Sequence, residues 1–140
     1  MATELGAVAA FDVQRDDYAA AIAELSGGEG ADVVYECSGA GPSAATLLEL
    51  VRRGGQYAQI GLFGKPVAWN LDTVCYKELR VTGSNASVPS AWSRALALLA
   101  DGSVQTAPLV SGVYPITAWR EAFDVFQNRQ GLKSLLHPVD

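Results

Sequence analysis

The sequence predicts an α/β protein built on a parallel sheet. Three observations predict it. Short apolar runs rich in valine alternate with stretches that carry apolar residues at helical spacing. Glycine pairs at Gly27-Gly28 and Gly54-Gly55 leave little loop between them. One strand-like run, Asp32-Val33-Val34-Tyr35-Glu36-Cys37-Ser38, passes straight into Gly39-Ala40-Gly41-Pro42-Ser43-Ala44 and a helical pattern. Strand and helix in alternation, joined by short loops, are the signature of right-handed crossovers between parallel strands.

The elements follow in order. Ala7 to Phe11 is a predicted short buried strand. Asp16-Asp17 open a helix with Tyr18, Ile22 and Leu25 on one face, and Ser26-Gly27-Gly28 stop it. The strand Asp32 to Cys37 comes next, then a helix from Pro42 to Val51 that Gly54-Gly55 end. A strand from Gln56 to Ile60 follows. Phe63 to Tyr76 is a long connection. Leu79 to Ser84 is β-branched at its centre and reads as a further strand. Ser90 caps a helix that stops at Gly102. Leu109 to Tyr114 is extended, Thr117 caps a last helix, and Lys133 to Leu136 closes as a strand. Trp92, Trp119, Phe123 and Phe126 recur at helical spacing and are expected in the core.

The segment Gly39 to Ala44 spells G-x-G-x-x-A between a strand and a helix, the shape of a dinucleotide fingerprint. A true fingerprint brings a pyrophosphate to the helix N-terminus and is followed, about 20 residues on, by an acid that holds the ribose. The next strand here ends Ile60-Gly61-Leu62-Phe63-Gly64, with no carboxylate. Pro42 also removes one N–H that a phosphate would use. A plain strand-to-helix turn is therefore the favoured reading of Gly39.

Composition narrows the function classes. The 140 residues suit one domain with an ordinary core, and 49% apolar with 18% charged content marks an ordered globular chain. A net charge of −5 with scattered basic residues argues against a nucleic-acid surface. No apolar run is long enough for a membrane span, and the N-terminus lacks the pattern of a signal peptide. Cys37 and Cys75 do not make a disulfide framework, so a reducing, cytoplasmic setting is expected. No catalytic constellation is visible. His137 is the one histidine, and Cys37, Cys75 and His137 lack metal-ligand spacing, so no catalytic residue and no metal site are assigned. Glu36 is the one ionisable group inside the central strand. A carboxylate paired at a sheet edge or helix N-terminus is preferred there to a ribose or substrate contact. Open α/β sheets bind ligands at the carboxyl ends of their strands. That rule points to Cys37-Ser38-Gly39, Ile60-Gly61-Leu62 and Gly83-Ser84-Asn85, small or apolar segments that suit a flat nicotinamide better than a pyrophosphate.

The order of these motifs resembles the zinc-type medium-chain alcohol and polyol dehydrogenases. The likeness runs from Gly30 to Gly39 through Gly54-Gly55, Gly61 to Gly64 and Leu79 to Ser84. The tail carries it too, in Pro108 to Ser111, Ala118 to Phe123 and Lys133 to Pro138. The resemblance implies an incomplete Rossmann-like parallel sheet lacking its first two strands, with C-terminal helices. Residues 1–87 would be a partial NAD(P)-binding domain and residues 88–140 a helical segment with a closing strand. The zinc-bearing catalytic domain, the glycine fingerprint and the ribose acid would all lie outside the chain. Carried over by position, Cys37 and Ser38 would face the nicotinamide of NAD or NADP. Ile60, Gly61, Leu62, Ser84, Asn85 and Ala86 would offer backbone groups to it. Lys133 would stand near the pyrophosphate, as a lysine where bidentate arginine is the stronger phosphate reader.

The resemblance also raises a physical difficulty. In the family's strand order of 3-2-1-4-5-6, loss of strands 1 and 2 leaves the strand Asp32 to Cys37 with a bare apolar edge. The chain is therefore expected to be part of a longer enzyme, or to associate through that edge or through the strand Leu79 to Ser84. On this reading it binds cofactor poorly by itself. The alternative is a non-catalytic binding or oligomerisation module of the same descent. A third, weaker reading takes Gly39 to Ala44 at face value as a compact nucleotide-binding domain.

Overall fold

A computed structural model describes residues 1–138. The chain divides into two compact units. One is Ala10–Ala86, and the other joins Met1–Ala9 to the chain from Ser87 onward.

The unit Ala10–Ala86 holds a three-stranded parallel sheet, β1 (Ala31–Glu36), β2 (Val51–Gln59) and β3 (Arg80–Gly83), in the order β1-β2-β3. Its helices are α1 (Tyr18–Leu25), α2 (Gly41–Glu49) and a short α3 (Asp72–Tyr76). Asp17 is the N-cap of α1, and its carboxylate accepts from the Ala20 N–H at 3.1 Å. The core lies between α2 and the sheet, where Leu48, Val51 and Tyr57 are fully buried and Val34 nearly so. Trp69 from the long connection packs edge-on to Tyr57, ring centroids 5.1 Å apart.

Several boundaries differ from the predicted ones. The glycine pair does not end α2, which stops at Glu49, and β2 already begins at Val51. Ala31 pairs with Val51 and Val33 with Gln56, so β2 carries three extra residues around Gly54, whose φ is +69°. Gly54-Gly55 is thus an excursion inside a strand. Gly55 is needed there: a Cβ would meet the Val51 side chain at 2.6 Å and the Asp32 carbonyl at 2.9 Å. What does end α2 is a lysine. Lys77 Nζ donates at 2.5 Å to the carbonyl of Glu49, an acceptor that the helix end leaves open, and at 3.0 Å to that of Val51 at the start of β2. Helix α3, inside the long connection, escaped the sequence reading because five residues are too few to show a helical period.

The predicted strand Ala7 to Phe11 does not form. Those residues are exposed, Val8 at 89%. No strand adjoins them among the described residues, and an apolar run without a ladder partner has no reason to stay extended.

The second unit contains α4 (Pro89–Ala100), β4 (Val110–Pro115), α5 (Trp119–Gln127) and β5 (Lys133–His137), with β4 and β5 paired in parallel. The predicted caps are displaced. Val88 is the N-cap of α4, with Pro89 in the first turn, and Thr117 lies in a 3-10 turn ahead of α5. The four aromatic residues expected in the core are on the surface instead: Trp92, Trp119, Phe123 and Phe126 are 64%, 45%, 51% and 70% exposed. Helical spacing placed them correctly on helix faces, but their side chains stay exposed, and the buried position of α5 is Ala122.

The Lys77 cap sets a stability test. Lys77→Met keeps the aliphatic stem and removes two charge-assisted hydrogen bonds. It is expected to lower unfolding free energy by about 1–2 kcal/mol in urea titrations, with the slope of the transition unchanged.

Candidate functional site

The carboxyl ends of β1, β2 and β3 lie side by side. The Glu36 carbonyl accepts from both Ile60 and Gly61 N–H groups at 2.8 Å, and the Gln59 carbonyl accepts from Ser84 N–H at 3.0 Å. These bonds bring Cys37, Ser38, Ile60, Gly61, Leu62 and Ser84, with Asn85 and Ala86 following, to one end of the sheet. Cys37, Ser38, Ser84, Asn85 and Ala86 are exposed. Ile60 and Leu62 present apolar side chains that are 41% and 79% exposed. Ala86 adopts a φ of +57°, which turns the backbone sharply after β3. Lys133 belongs to the other unit, exposed at the start of β5 and paired in register with Val110.

Glu36 organises this end. It is 1% exposed, and both carboxylate oxygens accept hydrogen bonds. Oε1 takes the Ser38 N–H at 2.9 Å, the Gly39 N–H at 3.1 Å and the Ser43 hydroxyl at 3.3 Å, together with a short bond from the Ser38 hydroxyl. Oε2 takes the Gly39 N–H at 3.1 Å and the Gln59 Nε2 at 2.9 Å. Gln59 also donates to the Gly61 carbonyl at 2.7 Å and accepts from the Tyr57 hydroxyl at 2.9 Å. The carboxylate is therefore paired with the turn before a helix and with the neighbouring strand, as the preferred sequence reading had it. The Ser38 hydroxyl gives its proton to Glu36 and accepts from the Ala40 N–H at 3.1 Å, so its remaining capacity toward a ligand is as an acceptor.

This geometry explains the glycines. Gly39 has a φ of +66°, and a Cβ there would sit 2.5 Å from the Leu62 carbonyl. A Cβ on Gly61 would stand 2.5 Å from Glu36 Oε2 and against the Gly39 amide. At Gly41, the other fixed glycine of the motif, a Cβ would meet only the Val67 side chain, at 3.4 Å. Gly39 and Gly61 are glycines because two turns touch, which accounts for the first glycine of the motif without a pyrophosphate.

The sequence reading did not single out Gln59, Tyr57 or Ser43. A signal for the first two existed: residues 57 and 59 share a face of a strand by the two-residue period, and Gln59 stands in register with Glu36. Among the described residues no cluster of three or more histidine, cysteine or carboxylate side chains could hold a metal ion. No helix among them is long and apolar enough to cross a membrane.

Burial works against ionising Glu36, but the hydrogen bonds from Ser38, Gly39 and Gln59 outweigh it and hold the carboxyl below its ordinary range. Burial first, and the Glu36 charge second, push the Tyr57 phenol up to about 12. The two groups give opposite pH dependences. A carboxyl more acidic in the folded chain stabilises above its unfolded value and loses that contribution as pH falls through the folded one. A phenol less acidic in the folded chain stabilises below its unfolded value and loses that contribution as pH rises toward about 12. Urea midpoints are expected to be level near neutrality and to fall at both ends, with Glu36→Gln flattening the acid limb and Tyr57→Phe the alkaline limb. Gly61→Ala, which forces backbone apart, is expected to destabilise by about 1–3 kcal/mol at any pH.

Comparison with known proteins gives a consistent picture. Residues 1–101 match the family described as zinc-binding dehydrogenase. The chain is 41% identical over 140 residues to a sorbitol dehydrogenase of Halalkalibacterium halodurans, covering 99% of this chain and 41% of that protein. It is 35% identical over 137 residues to a D-arabitol-phosphate dehydrogenase of Enterococcus avium, covering 97% of this chain and 39% of that one. The solved alcohol dehydrogenase TADH from Thermus sp. ATN1 superposes with a TM-score of 0.87 at 28% identity, over 96% of this chain and 39% of that structure. The chain thus spans about two fifths of the length of these relatives, in their C-terminal part. With its parallel Rossmann-like sheet, this chain belongs to the zinc-binding dehydrogenase family.

Proposed function

We propose that this chain forms the nicotinamide-side half of the cofactor site in an NAD(P)-dependent dehydrogenase that acts on an alcohol or polyol. One observation carries the reading. Exposed Ile60 and Leu62 stand beside the Ser38 turn at the carboxyl ends of adjacent parallel strands, where open α/β sheets take their ligands. The family relationship, and the printed names of relatives as sorbitol and D-arabitol-phosphate dehydrogenases, support the substrate class.

The residues at this end fit a nicotinamide. Apolar side chains offer a face for the ring, and the serine and backbone groups of the turns offer polar partners for its carboxamide. The cofactor, when bound, supplies the hydride-carrying carbon. The chain's part is to present a fixed, largely apolar floor, with Ser38 as an acceptor at its rim. Lys133 belongs to the other unit and takes no part in this floor. The residues described here do not fit a zinc site, so no step of the chemistry is placed on a metal within this chain. Free thiols at Cys37 and Cys75 suit a reducing, cytoplasmic setting.

A second reading, association through a sheet edge, is favoured by the sheet itself. β1 and β3 are its outer strands, and Val33, Tyr35 and Val81 on them are 43%, 64% and 39% exposed. Light scattering is expected to give a mass above that of one 14.7 kDa chain. A strictly monomeric solution would remove this reading.

The cofactor reading is tested by titrating NADH into the labelled chain and following amide resonances. Binding is expected to be weak, with Kd on the order of 1 mM. Shifts are expected at residues 37, 38 and 60–62, with none at Val113 in β4. Shifts at Ala40 to Ser43 in their place would favour the phosphate-cradle reading.

A further inference from the structure

We infer that Glu36 is a positioning residue: its buried carboxylate couples the Ser38-Gly39 turn to the Ile60-Gly61-Leu62 turn, so that the cofactor-facing floor holds one shape. The inference rests on the proposed site for the importance of those turns, and on geometry alone for the coupling.

The two carboxylate oxygens divide the work. Oε1 serves its own strand's turn and the first turn of α2, taking Ser38 N–H, the Ser38 hydroxyl, Gly39 N–H and the Ser43 hydroxyl. Oε2 faces β2, taking Gln59 Nε2 as well as Gly39 N–H. Gln59 then passes the constraint to the Gly61 carbonyl at 2.7 Å. The amide of Gln59 has one workable orientation, because its nitrogen faces two acceptors and its oxygen faces the Tyr57 hydroxyl. The N–H groups of Ser38, Gly39 and Gln59 that meet the carboxylate oxygens can only donate. A glutamine at position 36 must turn an NH2 toward one set or the other, and in either orientation one turn meets donor against donor.

The geometry separates positioning from ordinary stabilisation. Glu36 is the last residue of β1, two residues past Val34 of the apolar cluster that Leu48, Val51 and Tyr57 complete. Removing its acceptor role should loosen the two turns while leaving the centre of the sheet closed. No direct contact with a ligand is required of Glu36, since the side chain is buried behind Ser38 and Gly61.

The test is site-resolved amide hydrogen exchange on the full chain near neutral pH, on wild type, Glu36→Gln and Gln59→Met. Glu36→Gln is expected to speed exchange at Ser38, Gly39 and Gly61 by about tenfold or more, the scale of one lost charge-assisted bond. Val34 and Tyr57 in the sheet should stay within about twofold of wild type. Gln59→Met cuts the relay alone. It is expected to release Gly61 while Ser38 and Gly39 stay protected, and it keeps the inference testable should Glu36→Gln fail to fold. The NADH-induced shifts at Ser38 and Gly61 are expected to shrink in Glu36→Gln. Uniform acceleration across the whole sheet in Glu36→Gln, or release of both turns to the same degree by Gln59→Met, would overturn the inference. If wild type shows no NADH shifts, the cofactor reading fails while the exchange pattern still decides the coupling.

Discussion

The carboxylate of Glu36 is an ionised group taken almost wholly out of water at the end of a parallel strand, and the surrounding turns are shaped by the need to satisfy it. Desolvating such a charge costs several kcal/mol unless donors replace the lost water. Here the donors come from three sources: the following turn, the first turn of α2, and Gln59 on the neighbouring strand. For those donors to converge, the two turns must lie closer together than side chains on Gly39 and Gly61 would allow. The glycines, the serines and the Tyr57–Gln59 pair are consequences of one buried charge.

The two units stand in different physical situations. Residues 10–86 bury Leu48, Val51, Tyr57 and Glu36 and close their helix with Lys77, so this part has a core of its own. In the other unit Ala122 is the one buried residue among those described, while Trp92, Leu96, Phe123 and Phe126 lie open. The chain spans about two fifths of its relatives' length, and the open faces are the same faces that helical periodicity had marked as core.

On the proposed reading, this sheet end takes a cofactor whose reactive ring is flat and uncharged in its reduced form. The hydrogen-bonding capacity of the turns is largely spent on Glu36, which leaves apolar floor and a few acceptors. Phosphate recognition wants the opposite, a set of N–H groups with no acceptor of their own. In this chain the Gly39 N–H faces Glu36, so that donor of the motif is already engaged by the buried carboxylate.

The sequence by itself determined the alternation of strands and helices, the parallel sheet and the family. The alternation and the sheet depend on hydrophobic period and on glycine placement, which are local properties, while the family rests on the resemblance carried by the order of the motifs. It also marked the carboxyl ends of Asp32 to Cys37 and Gln56 to Ile60 as the place where a ligand would sit. Tertiary structure alone decided the rest. Gly54-Gly55 read as a helix stop because two adjacent glycines are one in most contexts, yet here the strand partner absorbs them as an excursion. Ala7 to Phe11 read as a strand because it is apolar, yet among the described residues it joins no sheet. Lys77 caps a helix that ends 28 residues earlier in the chain, a pairing no local pattern contains. Glu36 and Gln59 are 23 residues apart, and only the register of β1 against β2 turns two polar residues into one buried network.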